Sequence, residues 1–325
     1  VDACRYGAFM SENASIAILI PCYNEEMTIA AVISDFRNEL PDALIYVYDN
    51  NSSDATARIA RENGAIVRFE PRQGKGNVIR QMLRDIDADF YVLVDGDGQH
   101  PASAVHAMLS PLLEDRADIV IGDRLSNKSY HRENKRAFHL LGNQLVCFLI
   151  SNLFSFRIND ALTGYRAMNQ LFAKTLPVLS KGFQIEAEMY IHAIDKNWRI
   201  VEVPVEIKDR PQGSVSKLST FRDGFKVIRT VFMLLMEYRP QLLLTTISII
   251  LFIISMILVL TAVFARTPSA PGSASPIALV AGFFACASLL SLFGGLIMAV
   301  VSKGNRRQYE IEVNREKNAE KPRRY

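Results

Sequence analysis

Over the first ~125 residues, short apolar runs alternate with stretches whose apolar residues recur at helical spacing. Ile16 to Ile20 is an apolar run closed by Pro21, and Met27 to Leu40 follows with the period of an amphipathic helix. Leu44 to Tyr48 is rich in β-formers and runs into Asp49-Asn50-Asn51-Ser52-Ser53-Asp54, where Asp54 is placed to cap a helix through Glu62. Ile66 to Phe69 predicts a third strand, Gly74-Lys75-Gly76 opens another helix, and Phe90 to Val94 predicts a fourth strand. Repeated strand–helix units predict an α/β domain on a doubly wound, Rossmann-like, mostly parallel sheet that binds ligands at the carboxyl ends of its strands. Polar clusters fall at those ends: Tyr23-Asn24-Glu25 after the first strand, Asp49 after the second and Asp95 after the fourth.

The pattern changes towards the C-terminus. Leu242 to Ala265 and Ile277 to Val301 are each charge-free over about 24 residues, enough for a spanning helix. The link from Arg266 to Pro276 carries one basic residue, whereas Arg239 precedes the pair and Lys303, Arg306 and Arg307 follow it. The positive-inside rule then places the link outside, with the large domain and both termini on the cytoplasmic side of the inner membrane. Residues 216–240 mix Lys217, Arg222, Lys226 and Arg229 with helically spaced Leu and Phe, and read as a juxtamembrane amphipathic helix. Residues 137–156 read as a second interfacial helix, too polar to span. The expected organisation is an extension over 1–14, a catalytic domain over 15–215, a hairpin over 241–301 and a mobile charged tail over 302–325. Met10 stands where a natural start would be, so residues 1–9 read as lying ahead of it.

Composition adds little to this picture. With 49% hydrophobic and 22% charged residues the chain suits a globular core, and a net charge of +3 gives no argument for nucleic acid. Cys4, Cys22, Cys147 and Cys286 show no paired-ligand spacing, which argues against a disulfide framework or zinc site and fits a reducing compartment.

The chemistry concentrates in Val94-Asp95-Gly96-Asp97-Gly98-Gln99-His100. Glycines between the acids let the backbone bend, so that Asp95, Asp97 and Gln99 can converge on one hard cation, Mg²⁺ or Mn²⁺, alongside substrate phosphates. The first strand is followed by Pro-Cys-Tyr-Asn-Glu-Glu and not by G-x-G-x-x-G, and Gly74-Lys75-Gly76 lacks P-loop spacing. Lys75 can still counter a phosphate at the helix start that follows.

Together with Ile20 to Glu26 and Asp49 to Asp54, these residues resemble inverting family 2 glycosyltransferases of the GT-A fold, especially polyprenyl-phosphate and dolichyl-phosphate glycosyltransferases. The match continues through Ile121-Gly122-Asp123-Arg124, Asp160 to Arg166, Phe183-Gln184-Ile185-Glu186, Val203-Pro204-Val205, Asp209-Arg210 and Ser216-Lys217-Leu218, with Asn50 and Gly98 as departures. The resemblance implies a nucleotide cradle of Pro21, Tyr23, Glu25 and Asp49, and a metal and diphosphate site at Asp95, Asp97 and Gln99. It places Arg124, Arg166, Arg210 and Lys217 near an acceptor lipid phosphate. The implied reaction is metal-dependent transfer of a hexose from a nucleotide sugar to polyprenyl phosphate, by an enzyme that can form tetramers. Two alternatives stand beside it. A processive polysaccharide synthase would carry Q-x-x-R-W and more spans, whereas the only tryptophan, Trp198, lies in Lys-Asn-Trp-Arg. A catalytically silent nucleotide-binding membrane protein would keep the cradle without transfer.

Overall fold

The computed structural model describes residues 14–126, 137–154, 156–208, 232–233, 235–236, 238–264 and 276–319. Arg210, Lys217, the N-terminal extension, most of the 216–240 segment and the link between the apolar helices lie outside the described residues. The chain divides into two units, Val1–Ile228 with Arg315–Tyr325, and Arg229–Asn314.

In the first unit the expected alternation is present: β1 (Ile16–Cys22), α1 (Ile29–Glu39), β2 (Leu44–Asp49), α2 (Thr56–Glu62), β3 (Ile66–Phe69), α3 (Lys75–Asp85) and β4 (Phe90–Leu93). There follow α4 (Val105–Leu113), β5 (Ile119–Asp123), α5 (Ala137–Phe154), β6 (Arg166–Asn169), α6 (Gln170–Thr175), α7 (Ile185–Asp195) and β7 (Ile200–Pro204). The described strands form a seven-stranded sheet in the order β3-β2-β1-β4-β6-β5-β7. β1 is buried on both faces, as a central parallel strand must be, which is why it reads as an unbroken apolar run. Ile29, Val32, Ile33 and Phe36 form the inward stripe of α1, and α4 covers the same core with Val105, Met108, Leu109 and Leu112.

Within this mostly parallel sheet β6 runs antiparallel between β4 and β5, with Arg166 opposite both Leu93 and Ile121. One detail departs from the sequence reading. Helix α2 is capped at Ala55, and Asp54 acts one step earlier, its Oδ1 accepting the Thr56 N–H at 3.0 Å.

Helix α5 turns Asn143, Val146, Cys147 and Ile150 inward while Leu145 and Phe148 stand exposed. The second unit holds α8 (Pro240–Phe264) and the apolar part of α9 (Pro276–Ala319), both long and apolar enough to cross a membrane. They run antiparallel on a seam of small residues. Ser248 Oγ donates to the Ser288 carbonyl and Ser288 Oγ to the Ser248 carbonyl, each at 2.9 Å, and Ser255 Oγ donates to the Ala281 carbonyl at 2.9 Å. Small side chains let the backbones approach, and the hydroxyls find acceptors without water. Outward, Phe252, Leu279, Phe283 and Leu290 are exposed. The charged stretch expected as a mobile tail instead continues α9 to Ala319. From Asn305 to Ala319 it holds neither Gly nor Pro, and Arg306 and Glu310 stand at i,i+4 spacing.

Candidate active site

The carboxyl ends of β1 and β4 and the start of α3 surround a cavity of about 320 Å³. Its lining includes Pro21, Cys22, Tyr23, Glu25, Asn50, Gln73, Gly74, Lys75, Asp95, Gly96, Asp97 and Phe183. Six positions read from the sequence as site residues therefore meet in one place: Pro21, Tyr23, Glu25, Lys75, Asp95 and Asp97.

The loop after β4 is held tightly. Thr28 Oγ1 donates to the Gly96 carbonyl at 2.6 Å, and Asp97 Oδ1 accepts the Gln99 N–H at 3.1 Å. A side chain at Gly96 would place its Cβ 2.7 Å from Cys22 Sγ, and Gly98 has a φ of 74°, so both positions require glycine. Gly164 runs beside the Asp95 carboxylate so closely that a Cβ there would overlap it. Behind Asp95, His100 Nε2 stands 3.9 Å from Oδ2, and its ring lies 5.3 Å from that of Tyr165.

Asn50, a departure from the resemblance, is structurally explained. Its Nδ2 donates to the Glu70 and Arg72 carbonyls at 2.8 and 2.9 Å, while its Oδ1 accepts the Gly74 N–H at 2.7 Å. Only an amide can donate and accept in this way; a carboxylate would face two carbonyls. Asn50 thus fixes the turn that starts α3. Gly74 and Gly76 pack against the Lys181 and Ser180 carbonyls, where any Cβ would clash. Asp49 is buried behind this wall, and its Oδ1 accepts the Ser52 N–H at 3.3 Å; Asn50, and not Asp49, lines the cavity.

Lys75 reaches from α3 to two carboxylates, hydrogen-bonding Asp95 Oδ1 and lying 2.7 Å from Glu186 Oε1. Burial works against its charge, but Asp95 and Glu186 more than compensate, and its pKa is raised. Burial also opposes the Asp95 charge; Lys75 and then His100 outweigh it and hold that carboxyl far below the usual range. Glu186, from the first turn of α7, is a site residue that the sequence reading quoted in a motif without giving it a role. The cue was an acid at a helix start next to Phe183, whose ring centroid is 6.0 Å from Lys75 Nζ.

Of the arginines expected near the acceptor phosphate, the two described ones, Arg124 and Arg166, lie outside this cavity's lining. Arg124 at the end of β5 forks onto buried Asp160, with Nε–Oδ2 at 2.6 Å and Nη2–Oδ1 at 2.9 Å, and Asn143 of α5 donates to the same carboxylate at 2.8 Å. Arg166 is fully buried in β6, donating to the Thr163 and Ala161 carbonyls. Burial pulls its pKa down to about 10. Both residues hold the domain's interior together in this structure.

Asp95 and Asp97 line the cavity and Gln99 lies just beyond its lining; their side-chain oxygens are the donor type that fits Mg²⁺ or Mn²⁺ and not a softer metal. The Gln99 Nε2 donates to the Lys208 carbonyl at 3.4 Å, which makes its oxygen the ligand-capable end. Among the described residues no three acidic, His or Cys side chains converge as a metal cage, so a cation here would complete its shell with water or substrate oxygens.

Comparison with known proteins gives the family. The model of the family described as Glycosyl transferase family 2 matches residues 17–175. Glycosyltransferase AglJ of Haloferax volcanii is 35% identical over 211 residues, covering 65% of this chain and 68% of the relative. The chain belongs to glycosyl transferase family 2. Another relative, from Methanococcus voltae, is named UDP-N-acetylglucosamine–dolichyl-phosphate N-acetylglucosaminyltransferase; it is 26% identical over 244 residues, covering 68% of this chain and 96% of the relative. Among solved structures, glucosyl-3-phosphoglycerate synthase from Mycobacterium tuberculosis, in complex with Mn²⁺, UDP-glucose and glycerol 3-phosphate, superposes with a TM-score of 0.54. That likeness, at 22% identity over 70% of this chain and 80% of the other, supports the GT-A fold.

Proposed function

We propose that this family 2 glycosyltransferase moves one hexose from a nucleotide sugar to polyprenyl phosphate at the cytoplasmic face of a membrane, inverting the anomeric carbon. The observation that carries the reading is the meeting of Asp95, Asp97 and Lys75 in one cavity at the strand ends. Two carboxylates and an ammonium on one wall suit a nucleoside diphosphate that brings a divalent cation. When bound, Mg²⁺ or Mn²⁺ would be held by Asp95, Asp97 and Gln99 and would stabilise the departing diphosphate. Lys75 adds positive charge on the same side, Pro21, Tyr23 and Glu25 line the nucleoside end, and Asp49 stiffens the wall behind.

The acceptor reading is supported by the dolichyl-phosphate name of the Methanococcus voltae relative and by the apolar helices α8 and α9. Basic residues flank those helices at Arg239, Lys303, Arg306 and Arg307, with one in the link, which orients the catalytic unit towards the cytoplasm. A lipid monophosphate, with a second pKa near ~6 as for phosphoserine, is already ionised at neutral pH. It needs no general base; the protein has to position it and screen its charge. We assign direct phosphate contact to Arg210 and Lys217. Arg124 and Arg166, expected beside them, are held by Asp160 and by backbone carbonyls. A UDP-hexose is the favoured donor, with GDP-mannose second.

The test is incubation of the purified full-length protein with polyprenyl phosphate, Mn²⁺ and a panel of labelled nucleotide sugars. Label in the lipid phase from one donor supports the reading. No glycolipid from any donor rejects it.

A further inference from the structure

Phe183 lines the cavity with 57% of its surface open to solvent. A lone exposed apolar residue on a protein surface needs no explanation, but one on the wall of a binding cavity does. The loop before it is held from two sides. Arg80 of α3 donates from Nε to the Val178 carbonyl at 2.6 Å, and from Nη2 to the Leu179 and Ser180 carbonyls at 3.1 and 3.4 Å. Opposite, the buried carboxylate of Glu188 in α7 accepts the Leu179 and Ser180 N–H groups at 2.7 and 2.8 Å. The Lys181 carbonyl then accepts the Gly76 N–H at 3.1 Å, which ties the loop to the start of α3.

Two charged side chains committed to the backbone of one short loop give the ring a fixed base. An apolar surface held in this way binds without the ordering cost that a mobile side chain carries. Its place in the cavity is set by Lys75, whose Nζ lies 6.0 Å from the ring centroid. Lys75 is the ammonium placed to counter a diphosphate, and in a nucleotide sugar the hexose hangs from the phosphate farther from the nucleoside. The ring beside Lys75 is therefore within reach of the sugar, whereas Tyr23, the other exposed aromatic of the lining, follows β1 at the nucleoside end. A hexose carries hydroxyls around its rim and C–H groups on its faces. Acids and amides on the wall serve the rim, and Phe183 offers the faces a broad apolar partner.

Resting on the nucleotide-sugar reading, we propose that Phe183 is a specificity-determining residue, the fixed platform on which the apolar face of the donor hexose lies. The contact belongs to the sugar and not to the nucleotide. It is present in the donor complex and lost once the hexose has left, so the same cavity holds the donor more tightly than the nucleoside diphosphate that remains.

The test is calorimetric titration of the purified full-length protein in detergent with Mn²⁺ present, using UDP, UDP-glucose, UDP-N-acetylglucosamine, GDP and GDP-mannose in turn. For the nucleotide sugar that wild type binds, Phe183→Ala should weaken affinity by about ten-fold and shift the matching free diphosphate by less than about two-fold. Phe183→Trp should recover most of the loss, because it restores an aromatic face at an exposed position. A merely structural role for Phe183 would move both ligands together. The inference is overturned if Phe183→Ala weakens the free diphosphate as much as the nucleotide sugar, which assigns the ring to the nucleoside. It is equally overturned if neither affinity changes, or if only the KM for polyprenyl phosphate rises, which assigns the ring to the lipid. Failure of the underlying reading looks different: wild type then binds none of the nucleotide sugars. Glycolipid formation is scored separately, so a sugar-selective loss in a protein that makes no glycolipid supports the platform and rejects the lipid acceptor.

Discussion

Gly164 passes so close to Asp95 that a β-carbon at position 164 would lie 2.8 Å from the Asp95 carboxyl carbon. The two residues come from distant parts of the chain, and β6, which follows Gly164, pairs directly with β4, which precedes Asp95. Gly164→Ala should therefore push the Asp95 carboxylate out of line while leaving the sheet intact. Displacements of this size cost on the order of a hundred-fold in rate. Initial rates of transfer and a thermal melt of the same preparation would show a large loss in the first and a small change in the second.

Asp97 lines the cavity and accepts the Gln99 N–H at 3.1 Å. Asp97→Ala should abolish transfer and weaken nucleotide binding in the presence of Mn²⁺, with nucleotide binding in the presence of a chelator little altered. Equilibrium binding of UDP and GDP under the two conditions checks this.

Asn50 shapes the start of α3 through its amide. Asn50→Asp would turn two donated hydrogen bonds into two carboxylate–carbonyl contacts while keeping the acceptor for the Gly74 N–H. The expected cost is about 2 kcal/mol of stability, together with a weaker donor KM because Lys75 loses its fixed starting point. Denaturant melts and donor titrations of the variant measure both.

His192 gives the fold an acid-sensitive element. Burial, followed by nearby Lys196, pulls its pKa from 6.5 down to about 4, so the folded protein holds the neutral ring. Its contribution is complete above the ordinary histidine value and falls away as pH drops through the range from 6.5 to about 4. Up to ~3 kcal/mol is at stake for a shift of this size. Melting temperature against pH should fall across this range in wild type, and His192→Gln should flatten the slope.

Much of the catalytic unit was legible because its signals are local. The apolar run of β1, the helical stripe of α1 and the acids at strand ends are each contained within a dozen residues, and the cavity formed where they indicated. What escaped depends on contacts between distant segments. The ion pair of Lys75 with Glu186 joins α3 to α7, and no spacing rule links a glycine-rich turn to an acid so far along the chain. The family resemblance places Arg124 and Arg166 near an acceptor phosphate, and the partners they have within the fold, Asp160 and the Thr163 and Ala161 carbonyls, could not be read from spacing. The helix past Gly304 was misjudged on composition, since charge alone suggested solvation while the absence of helix breakers decided the outcome.

The most direct test of the central claim is the identity of the lipid product. Full-length protein, polyprenyl phosphate, Mn²⁺ and the accepted nucleotide sugar should yield a lipid bearing one hexose on its phosphate, seen by mass spectrometry, with the β configuration at the anomeric carbon by NMR. A retained α linkage, a growing oligosaccharide or a water-soluble product with no sugar on the lipid would contradict it.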